Sequence, residues 1–405
     1  MALLDALSIL VARHPIVLSA IHVHHGLSPN ADCWAEFCAE QCAARGVSLS
    51  VHRLQLARKP GQSLEAIARS ARYERLLATD VDIIALGHQC DDQAETLLLQ
   101  LMRGAGPHGL AAMPAYRPGR PALIRPLLNL SRATIAAYVR SRTLSWIDDE
   151  SNANPAHKRN VLRTEVAPRL RAYFPGYPKT LERAARHQAE AARLLDELAV
   201  LDAAGAIDRH ALLRERLGVL SPPRARNLLR WFLRHEGLRP PSEAGLADML
   251  QQLLDASDDA QVRIACHRHE IGVYRGHIRI HAPTAAAFGL PWSGERELHL
   301  PGGTLLFELT RGDGLSADKL AQAPVTLRSR VGGERIQLAA NRPHHEVKKL
   351  MQQAGLPAWE RRTLPLVWCG GALAAVPGIG VDVAFRATPA ADAWRLTWMP
   401  DSRSK

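Results

Sequence analysis

Three carboxylates stand close together in the stretch LGHQCDDQAETLLLQLMRGAG, which covers residues 86–106. Its leucines recur at helical spacing after a short apolar segment, which predicts a helix that follows a buried strand. Asp92 and Glu95 are three residues apart and share one face of that helix, whereas Asp91 is turned away from them. Two carboxylates on one face can bind a magnesium ion or an ammonium group. The alternative is that all three only stabilise the positive end of the helix dipole.

The segments around this helix alternate between strand and helix patterns. IVLSAIHVHH, VSLSVHRLQL and VDIIALGHQ predict buried strands, and helical patterns precede, separate and follow them. This order is typical of an α/β fold with a doubly wound parallel sheet, in which ligands bind at the carboxyl ends of the strands. Those ends carry His22, His24, His25, Gly87 and His88. For His88, both a ligand contact and a place in the core stay open, because a lone histidine is more often a packing residue.

Arginines at helical spacing supply the positive charge that an anionic ligand would need. Arg69 and Arg72 lie three residues apart in EAIARSARYERL, and Arg159 and Arg163 lie four apart in AHKRNVLRTEV. Guanidinium groups bind phosphates and carboxylates through paired hydrogen bonds, which makes both pairs candidates for ligand contacts. The alternative for each pair is a solvated, charged helix face.

The composition predicts a class of partner and a compartment. In 405 residues, Lys and Arg outnumber Asp and Glu by 51 to 40, which gives a formal net charge of +11. This balance favours a polyanion such as nucleic acid, although a GC-rich genome would produce the same abundance of arginine. Six cysteines without a CxxC pair are typical of a reducing compartment. No apolar run is long enough to cross a membrane, so we expect a cytoplasmic protein with no membrane partner.

The pattern changes beyond Pro168, where the alternation of strands and helices ends. Residues 178–217 have a helical pattern throughout, and an arginine-rich helix follows in SPPRARNLLRWFLRHEGL. QVRIACHRHEIGVYRGHIRIHAP then alternates with period two, which predicts two strands joined at Arg275 and Gly276. We therefore predict an α/β domain over residues 1–177, a mainly helical domain over 178–283, a linker in PTAAAFGLPWSG, and an α+β domain with one helix over 292–400.

Several of these stretches together resemble the tRNA(Ile)-lysidine synthetase family, which belongs to the PP-loop ATP pyrophosphatases. The matching segments cover nearly the whole chain and are HVHHGLSPNAD, EAIARSARY, GHQCDDQAETLLLQLMRGAGPHGLAAM, RPLLNLSRATIAAY, WIDDESNANPAHKRNVLRTEVAPRL and EVKKLMQQAGLPAWERRTLPLVW. The resemblance implies an enzyme that uses ATP, with Mg2+, to adenylate the wobble cytidine of an isoleucine tRNA with a CAU anticodon at its 2-position oxygen. Free L-lysine then displaces AMP, which forms lysidine.

The resemblance also implies roles for residues of the α/β domain. Asp92 and Glu95 would bind the ammonium group of the substrate lysine without a metal ion. An arginine of KRNVLR, with Arg163 preferred to Arg159, would hold the lysine carboxylate. A further set would line the nucleotide: His22, His24, Arg72, Gly87 and His88.

The two later domains are implied to bind the tRNA. The arginine-rich helix from Arg224 to Arg234 and the pair Lys348 and Lys349 would face it and contact its phosphates rather than read its bases. The resemblance leaves a homodimer open.

One signature of the family does not occur in these 405 residues. PP-loop enzymes carry a first strand followed by an SGGxDS loop, whose backbone amides bind the pyrophosphate of ATP. MALLDAL resembles the helix that directly follows that loop. We therefore expect a PP-loop fold with its central first strand absent, a start codon assigned too late, and little or no ATP use by the chain as given.

Two other functions stay open at this point. One is another PP-loop tRNA-modifying enzyme, such as a 2-thiolation enzyme, and the other is a catalytically inactive tRNA-binding remnant. The absence of a CxxC pair is unfavourable for the first, and the intact pattern of the lysine-binding residues is unfavourable for the second.

Overall fold

The computed structural model describes residues 1–11, 13–57, 64–148, 158–208, 210–256, 262–283 and 286–400. The chain divides into two compact units, Met1–Leu194 and Leu195–Lys405. The finer division into three domains stays a prediction. Within the ranges given, no helix combines the length and the apolar character that a membrane crossing requires.

The first unit alternates short strands with helices. Its strands are β1 Ser19–His24, β2 Ser48–Arg53, β3 Ile83–Ala85, β4 Tyr116–Arg117 and β5 Ala122–Ile124. Its helices are α1 Ala2–Val11, α2 Ala31–Ala43, α3 Leu64–Leu77, α4 Cys90–Leu101, α5 Pro107–Leu110, α6 Arg132–Ser141, α7 Lys158–Val161 and α8 Ala167–Tyr173. A π-helical turn, Leu162–Val166, joins α7 to α8, and the long helix α9 covers Tyr177–Ala203.

Parallel strand pairs confirm the predicted α/β class. β1 pairs in parallel with β2, and β3 pairs in parallel with β5, to which β4 adds antiparallel. Within the described part of the chain, no ladder joins β1 to β3, so the strands form one two-stranded and one three-stranded sheet. Ile21 of β1 packs against a cluster that contains Ile84 of β3 and Leu123 of β5. Apolar packing therefore brings the two sheets together.

A buried carboxylate fixes α1 to the rest of the first unit. Asp5 accepts hydrogen bonds from the Tyr138 hydroxyl at 2.8 Å and from Arg142 Nε at 3.2 Å, and Arg45 Nε lies 3.5 Å from its other oxygen. Burial alone would raise the pKa of Asp5, but the hydrogen bonds from Tyr138 and Arg142 outweigh it and hold that pKa below its usual range. Asp5 thereby joins α1 to α6 and to the turn after α2.

The second unit contains shorter helices and more strands. Its helices are α10 Arg214–Gly218, α11 Pro222–His235, α12 Glu243–Asp255, α13 Ala317–Leu320, α14 Val347–Gln353 and α15 Ala358–Thr363. Its first strands are β6 Ile207–Asp208, β7 Ala211–Leu213, β8 Ile264–Cys266, β9 His269–Tyr274 and β10 His277–His281. The later strands are β11 Gly289–Trp292, β12 Glu297–Leu300, β13 Gly303–Arg311, β14 Leu315–Ser316, β15 Val325–Arg328, β16 Arg335–Ile336, β17 His345–Glu346, β18 Leu366–Cys369, β19 Ala372–Val376, β20 Gly380–Val381 and β21 Asp392–Pro400.

The first part of the second unit packs α10, α11 and α12 against a sheet of order β6-β7-β10-β9-β8. The predicted hairpin is confirmed, since β9 pairs with β10 and the turn residues Arg275 and Gly276 have φ of 48° and 72°. The prediction that residues 178–217 are helical throughout is wrong, because β6 and β7 lie within them. Leu212 is fully buried and pairs with Ile278, so its place in the sheet core outweighs its helical propensity.

The later part of the second unit has its own core. It contains the sheets β11-β15-β18-β19-β20 and β12-β13-β21-β14 and the pair β16-β17. The predicted linker contains β11, which pairs with β15 because Phe288 and Trp292 pack against the buried apolar cluster there. Three short helices, α13, α14 and α15, stand where one helix was predicted.

Candidate active site

Hydrogen bonds on its buried side fix α4 in place. The Cys90 amide donates to the Leu130 carbonyl at 3.0 Å as α4 begins, just past the carboxyl end of β3. The Gln93 side chain donates to the Met113 carbonyl at 2.9 Å and accepts from the Met113 amide at 3.0 Å. Ala94 is 1% exposed. With these sides of α4 held by the protein, Asp92 and Glu95 lie on its remaining face.

Asp92 and Glu95 on that face form an ion cluster with Arg159 and Arg163. Arg159 donates from Nε to Glu95 Oε2 at 2.7 Å and from Nη2 to Asp92 Oδ1 at 3.1 Å. Arg163 donates from Nε to Glu95 Oε1 at 2.9 Å, and from Nη2 to Glu95 Oε2 at 3.0 Å and Asp92 Oδ1 at 3.3 Å. The structure therefore brings together the four residues that the sequence selected for lysine binding.

The charges of this cluster balance, with two carboxylates and two guanidinium groups. The Glu95 side chain is 7% exposed and the Asp92 side chain 16%, so each carboxylate needs a positive partner to remain charged at that depth. The hydrogen bond to Glu95 raises the pKa of Arg163 above its usual range. A cation that enters the cluster must take over hydrogen bonds that a guanidinium now makes.

The third carboxylate of the quoted stretch has a different environment. Asp91 accepts hydrogen bonds from Arg171 Nη2 at 2.9 Å and from the Arg132 amide at 3.0 Å. It joins α4 to the start of α6 and to α8. Asp91 is therefore a packing and positioning residue, as its different helix face indicated.

His88 lies at the start of the turn that leads into α4. Burial, followed by the positive charges of Arg125, Arg159, Arg69 and Arg72, lowers the pKa of His88 to about 4. Its Nδ1 atom is buried and finds no hydrogen-bond partner in the described ranges. A neutral imidazole among guanidinium groups can bind an anionic ligand that brings its own hydrogen-bonding atoms.

Arg72 connects His88 with the histidines at the end of β1. Burial lowers the pKa of His25, and Arg72 and His22 lower it further, so these groups lie near one another. Nδ1 of His25 is buried and likewise has no hydrogen-bond partner among the described residues. Burial, followed by the charge of Arg69, also lowers the pKa of Arg72. Unpartnered imidazole nitrogens beside desolvated arginines fit the polyphosphate and ribose of a nucleotide.

His24 and His22 contact protein groups. Nε2 of His24 lies 3.3 Å from Asp32 Oδ1 and 3.4 Å from Arg53 Nη1, which connects the ends of β1 and β2 to α2. Nδ1 of His22 lies 3.6 Å from the Cys38 sulfur, and burial followed by the charge of His24 lowers the pKa of His22.

Gly87 lies beside α1. A Cβ built on it would meet the Leu3 Cδ2 atom at 3.9 Å, which is an ordinary van der Waals contact. Space alone therefore does not require glycine at this position.

One residue of this region was missed by the sequence reasoning. Arg125 follows β5, is 7% exposed, and donates from Nη1 to the Pro114 carbonyl at 2.7 Å. It also contributes to the low pKa of His88. Arg125 is the first residue of the family-like segment RPLLNLSRATIAAY, but it has no second charge at helical or strand spacing, so spacing alone could not have identified it.

Ion pairs divide the arginines of α11 into two groups. Arg224 pairs with Asp202, and Arg234 pairs with Asp196, both of which lie on α9. Arg226 and Arg230 form no ion pair with any described residue. Burial lowers the pKa of Arg230, and the charge of Arg234 lowers it further.

A cluster suited to a protein-bound metal ion is not found in the described ranges, where no three His, Cys, Asp or Glu side chains converge. The carboxylates of α4 instead face guanidinium groups, as the distances above show.

Family models match three segments of the chain. They are a PP-loop domain over residues 1–170, a TilS substrate binding domain over 212–279, and a TilS substrate C-terminal domain over 325–398. The chain is also similar to curated proteins named tRNA(Ile)-lysidine synthase. The relative from Nitrosomonas europaea is 41% identical over 95% of this chain and 86% of its own length. Those from Azoarcus sp. and Aromatoleum aromaticum are 40% and 42% identical, over 99% and 98% of this chain and 90% and 94% of their own lengths.

Proposed function

The chain belongs to the tRNA(Ile)-lysidine synthase family, and we propose that it ligates lysine to the wobble cytidine of an isoleucine tRNA with a CAU anticodon, using ATP. The observation that carries the proposal is the cluster of Asp92 and Glu95 with Arg159 and Arg163 beside the neutral His88. It offers carboxylates for an amino acid's ammonium group, guanidinium groups for its carboxylate, and a basic surface for a nucleotide.

Lysine has two charged ends that the cluster can distinguish. We assign its side-chain ammonium to Asp92 and Glu95, and its carboxylate to Arg163, with Arg159 as the second candidate. The side-chain ammonium of lysine is a cation. It can therefore replace a guanidinium group at the carboxylates without leaving a buried charge unpaired. The side-chain amine then loses a proton and attacks the activated carbon of cytosine.

The nucleotide is assigned to the carboxyl ends of β1 and β3. ATP, with Mg2+, supplies the adenylyl group that makes the cytosine oxygen a leaving group. His88 and His25 offer hydrogen bonds from neutral rings, and Arg72 offers positive charge to the phosphates. Arg159 lies close to both the lysine-binding carboxylates and His88, because it hydrogen-bonds the carboxylates and also lowers the pKa of His88. It therefore connects the lysine position with the nucleotide position.

The tRNA is assigned to surfaces of the second unit as well as to this site. Arg226 and Arg230 of α11, which form no ion pair with a described residue, and the exposed Lys348 of α14 are suited to phosphate contacts. The net charge of +11 favours such a partner. The substrate would be tRNA of the cytoplasm.

The proposal is tested with the full chain, ATP, L-lysine and a transcript of the isoleucine tRNA. We expect pyrophosphate release that requires the tRNA, and AMP release that requires both the tRNA and lysine. A transcript with uridine at the wobble position is the matched control and should give neither product.

The other outcomes distinguish the alternatives. Tight tRNA binding without pyrophosphate or AMP would indicate a catalytically inactive tRNA-binding remnant, the alternative that the lack of an SGGxDS sequence in these residues favours. Pyrophosphate and AMP release that depends on a sulfur donor instead of lysine would indicate a 2-thiolation enzyme.

A further inference from the structure

Helices pack on both faces of the sheet β6-β7-β10-β9-β8. Alternate side chains of β9 and β10, such as Ile271 and Ile278, belong to the apolar cluster with α11 and α12. The side chains between them lie on the opposite face and include Gly272 and His281. The indole of Trp359 on α15 stacks on the His281 ring, with centroids 4.3 Å apart and ring planes 8° apart. The strands β9 and β10 therefore lie between α11 and α15.

Gly272 makes the close approach of Trp359 possible. A Cβ built on Gly272 would lie 2.5 Å from the Trp359 Cζ3 atom and 3.2 Å from His281 Nε2, so any larger residue would collide with the indole. Glycine inside a strand otherwise weakens it, and it often marks a place where another group comes close to the backbone. The Tyr274 ring, two residues further along β9, meets the same indole edge to face at 6.5 Å. Trp359 thus fills a recess that β9 and β10 form.

Charged residues add to the contact that Trp359 makes. Arg275, in the turn between β9 and β10, donates from Nη2 to the Gln352 carbonyl of α14 at 3.2 Å. Glu360, the residue after Trp359, lies near Arg279 of β10, because burial raises the pKa of Glu360 and the charge of Arg279 counteracts this effect. The hairpin of β9 and β10 therefore contacts both α14 and α15.

This contact connects the two surfaces that are assigned to tRNA phosphates. Arg226 and Arg230 belong to α11, whose apolar side packs on one face of the sheet. Lys348 belongs to α14, and Met351 of the same helix shares an apolar cluster with Leu364, the residue after α15. The position of Lys348 relative to the arginines of α11 therefore depends on how α15 packs on the sheet.

We propose that Trp359, by packing on β9 and β10, holds α11 and α14 in one fixed arrangement, so that a single tRNA contacts both surfaces at once. Trp359 is then a positioning residue, which acts through α11 and α14 rather than by touching the RNA. The inference rests on the proposed assignment of the tRNA to these surfaces. Two surfaces fixed at the spacing that their ligand requires bind it more tightly than two loosely linked ones, because less ordering accompanies binding.

The test compares dissociation constants of variants of the full chain for isoleucine tRNA at one salt concentration. Trp359→Ala removes the stacked ring, and Gly272→Val places a side chain where the indole lies while keeping a good strand former in β9. Each should weaken tRNA binding about tenfold or more. Trp359→Phe keeps an aromatic ring on His281 and should retain most of the wild-type affinity. In the double variant of Gly272→Val with Trp359→Ala, the valine meets no indole, so the two losses should not add.

Gly289→Val is the matched control, because Gly289 is a strand glycine of the same unit whose Cβ would meet no atom within 4 Å. It should bind tRNA as the wild type does. The inference is overturned if either folded single variant, Trp359→Ala or Gly272→Val, binds tRNA as tightly as the wild type, or if their losses add in the double variant. Failure of the proposed function would look different, since the wild type would then release no AMP while the variants kept these effects on tRNA binding.

Discussion

Arg159 donates from Nε to Glu95 Oε2 at 2.7 Å, so the side chains assigned to the ligand are bonded to each other in the free protein. The same oxygen also accepts from Arg163 Nη2 at 3.0 Å. The Glu95 side chain is 7% exposed and that of Arg159 is 23% exposed, so little water remains to compete. Under the proposed assignment, lysine binding would be an exchange of one cation for another rather than the occupation of an open anionic pocket.

Asp92→Asn should separate the two halves of the proposed reaction. The substitution removes one of the two negative charges that balance the arginines, so the incoming ammonium loses one of its two carboxylate partners. We expect the catalytic efficiency of lysine-dependent AMP release to fall about 100-fold or more, as for one partner of a buried charge pair. Lysine-independent pyrophosphate release should change only a few-fold. Both products are measured on the same reaction with isoleucine tRNA.

Asp91→Asn is the control for the Asp92 variant. Asp91 lies on the same helical turn but pairs with Arg171 and the Arg132 amide. The Asp91→Asn variant should have a lower Tm than the wild type and an unchanged KM for lysine. If Asp92→Asn reduces pyrophosphate and AMP release equally, the assignment of Asp92 to lysine is wrong.

Arg163→Gln should remove the recognition of the lysine carboxylate. Cadaverine, which is lysine without its carboxylate, provides the matched ligand. For the wild type, lysine should bind more tightly than cadaverine because a guanidinium–carboxylate pair is charge-assisted. In the variant we expect the affinity for lysine to fall about tenfold or more, with a much smaller change for cadaverine. Competition binding with both ligands measures this, and an equal loss for both would assign the carboxylate to another residue.

Residue spacing could predict the face of α4, whereas only the family resemblance placed Arg159 and Arg163 at the same site. Three-residue spacing alone places Asp92 and Glu95 on one side of a helix, and the alternation of patterns predicted the α/β unit around it. That Arg159 and Arg163 reach both carboxylates depends on how distant elements pack, which local periodicity does not encode. The same holds for Arg125 at His88 and for the Asp5–Tyr138 hydrogen bond between α1 and α6.

Short strands account for the errors in the fold. β6 and β7 contain two and three residues, too few to show a period-two pattern against the helical pattern around them. β11 begins at Gly289 and contains Pro291, which are loop signals, yet it pairs with β15 at an edge of the sheet where proline is tolerated. In both cases the strand exists because a buried partner strand lies beside it.

His88 should make the protein less stable in mild acid. Its pKa is about 4 in the folded protein, whereas an unfolded histidine titrates near about 6.5, so the unfolded chain binds the proton first as the pH falls. The free energy of unfolding should therefore decrease from about pH 6.5 downwards and level off below about pH 4. The glutamine of His88→Gln cannot be protonated. Between pH 7 and pH 5, the free energy of unfolding of this variant should therefore fall by about 1 kcal/mol less than that of the wild type, a value reduced for the ring's partial exposure.

Urea unfolding of both proteins at these two pH values measures the difference. His22 and His25 are present in both, so their contributions cancel. Equal pH dependence of the two proteins would mean that His88 is protonated as readily in the folded state as in the unfolded chain.

The arginines of α11 should differ in their contribution to tRNA binding. Arg224 is already paired with Asp202, whereas Arg226 has no ion pair among the described residues. Arg226→Gln should therefore weaken tRNA binding and reduce the salt slope of the logarithm of affinity by about one, because one phosphate contact and its released counterion are lost. Arg224→Gln on the same helix should leave that slope unchanged. Titrations at several salt concentrations give both slopes. Equal slopes for the two variants would exclude a contact between Arg226 and a tRNA phosphate.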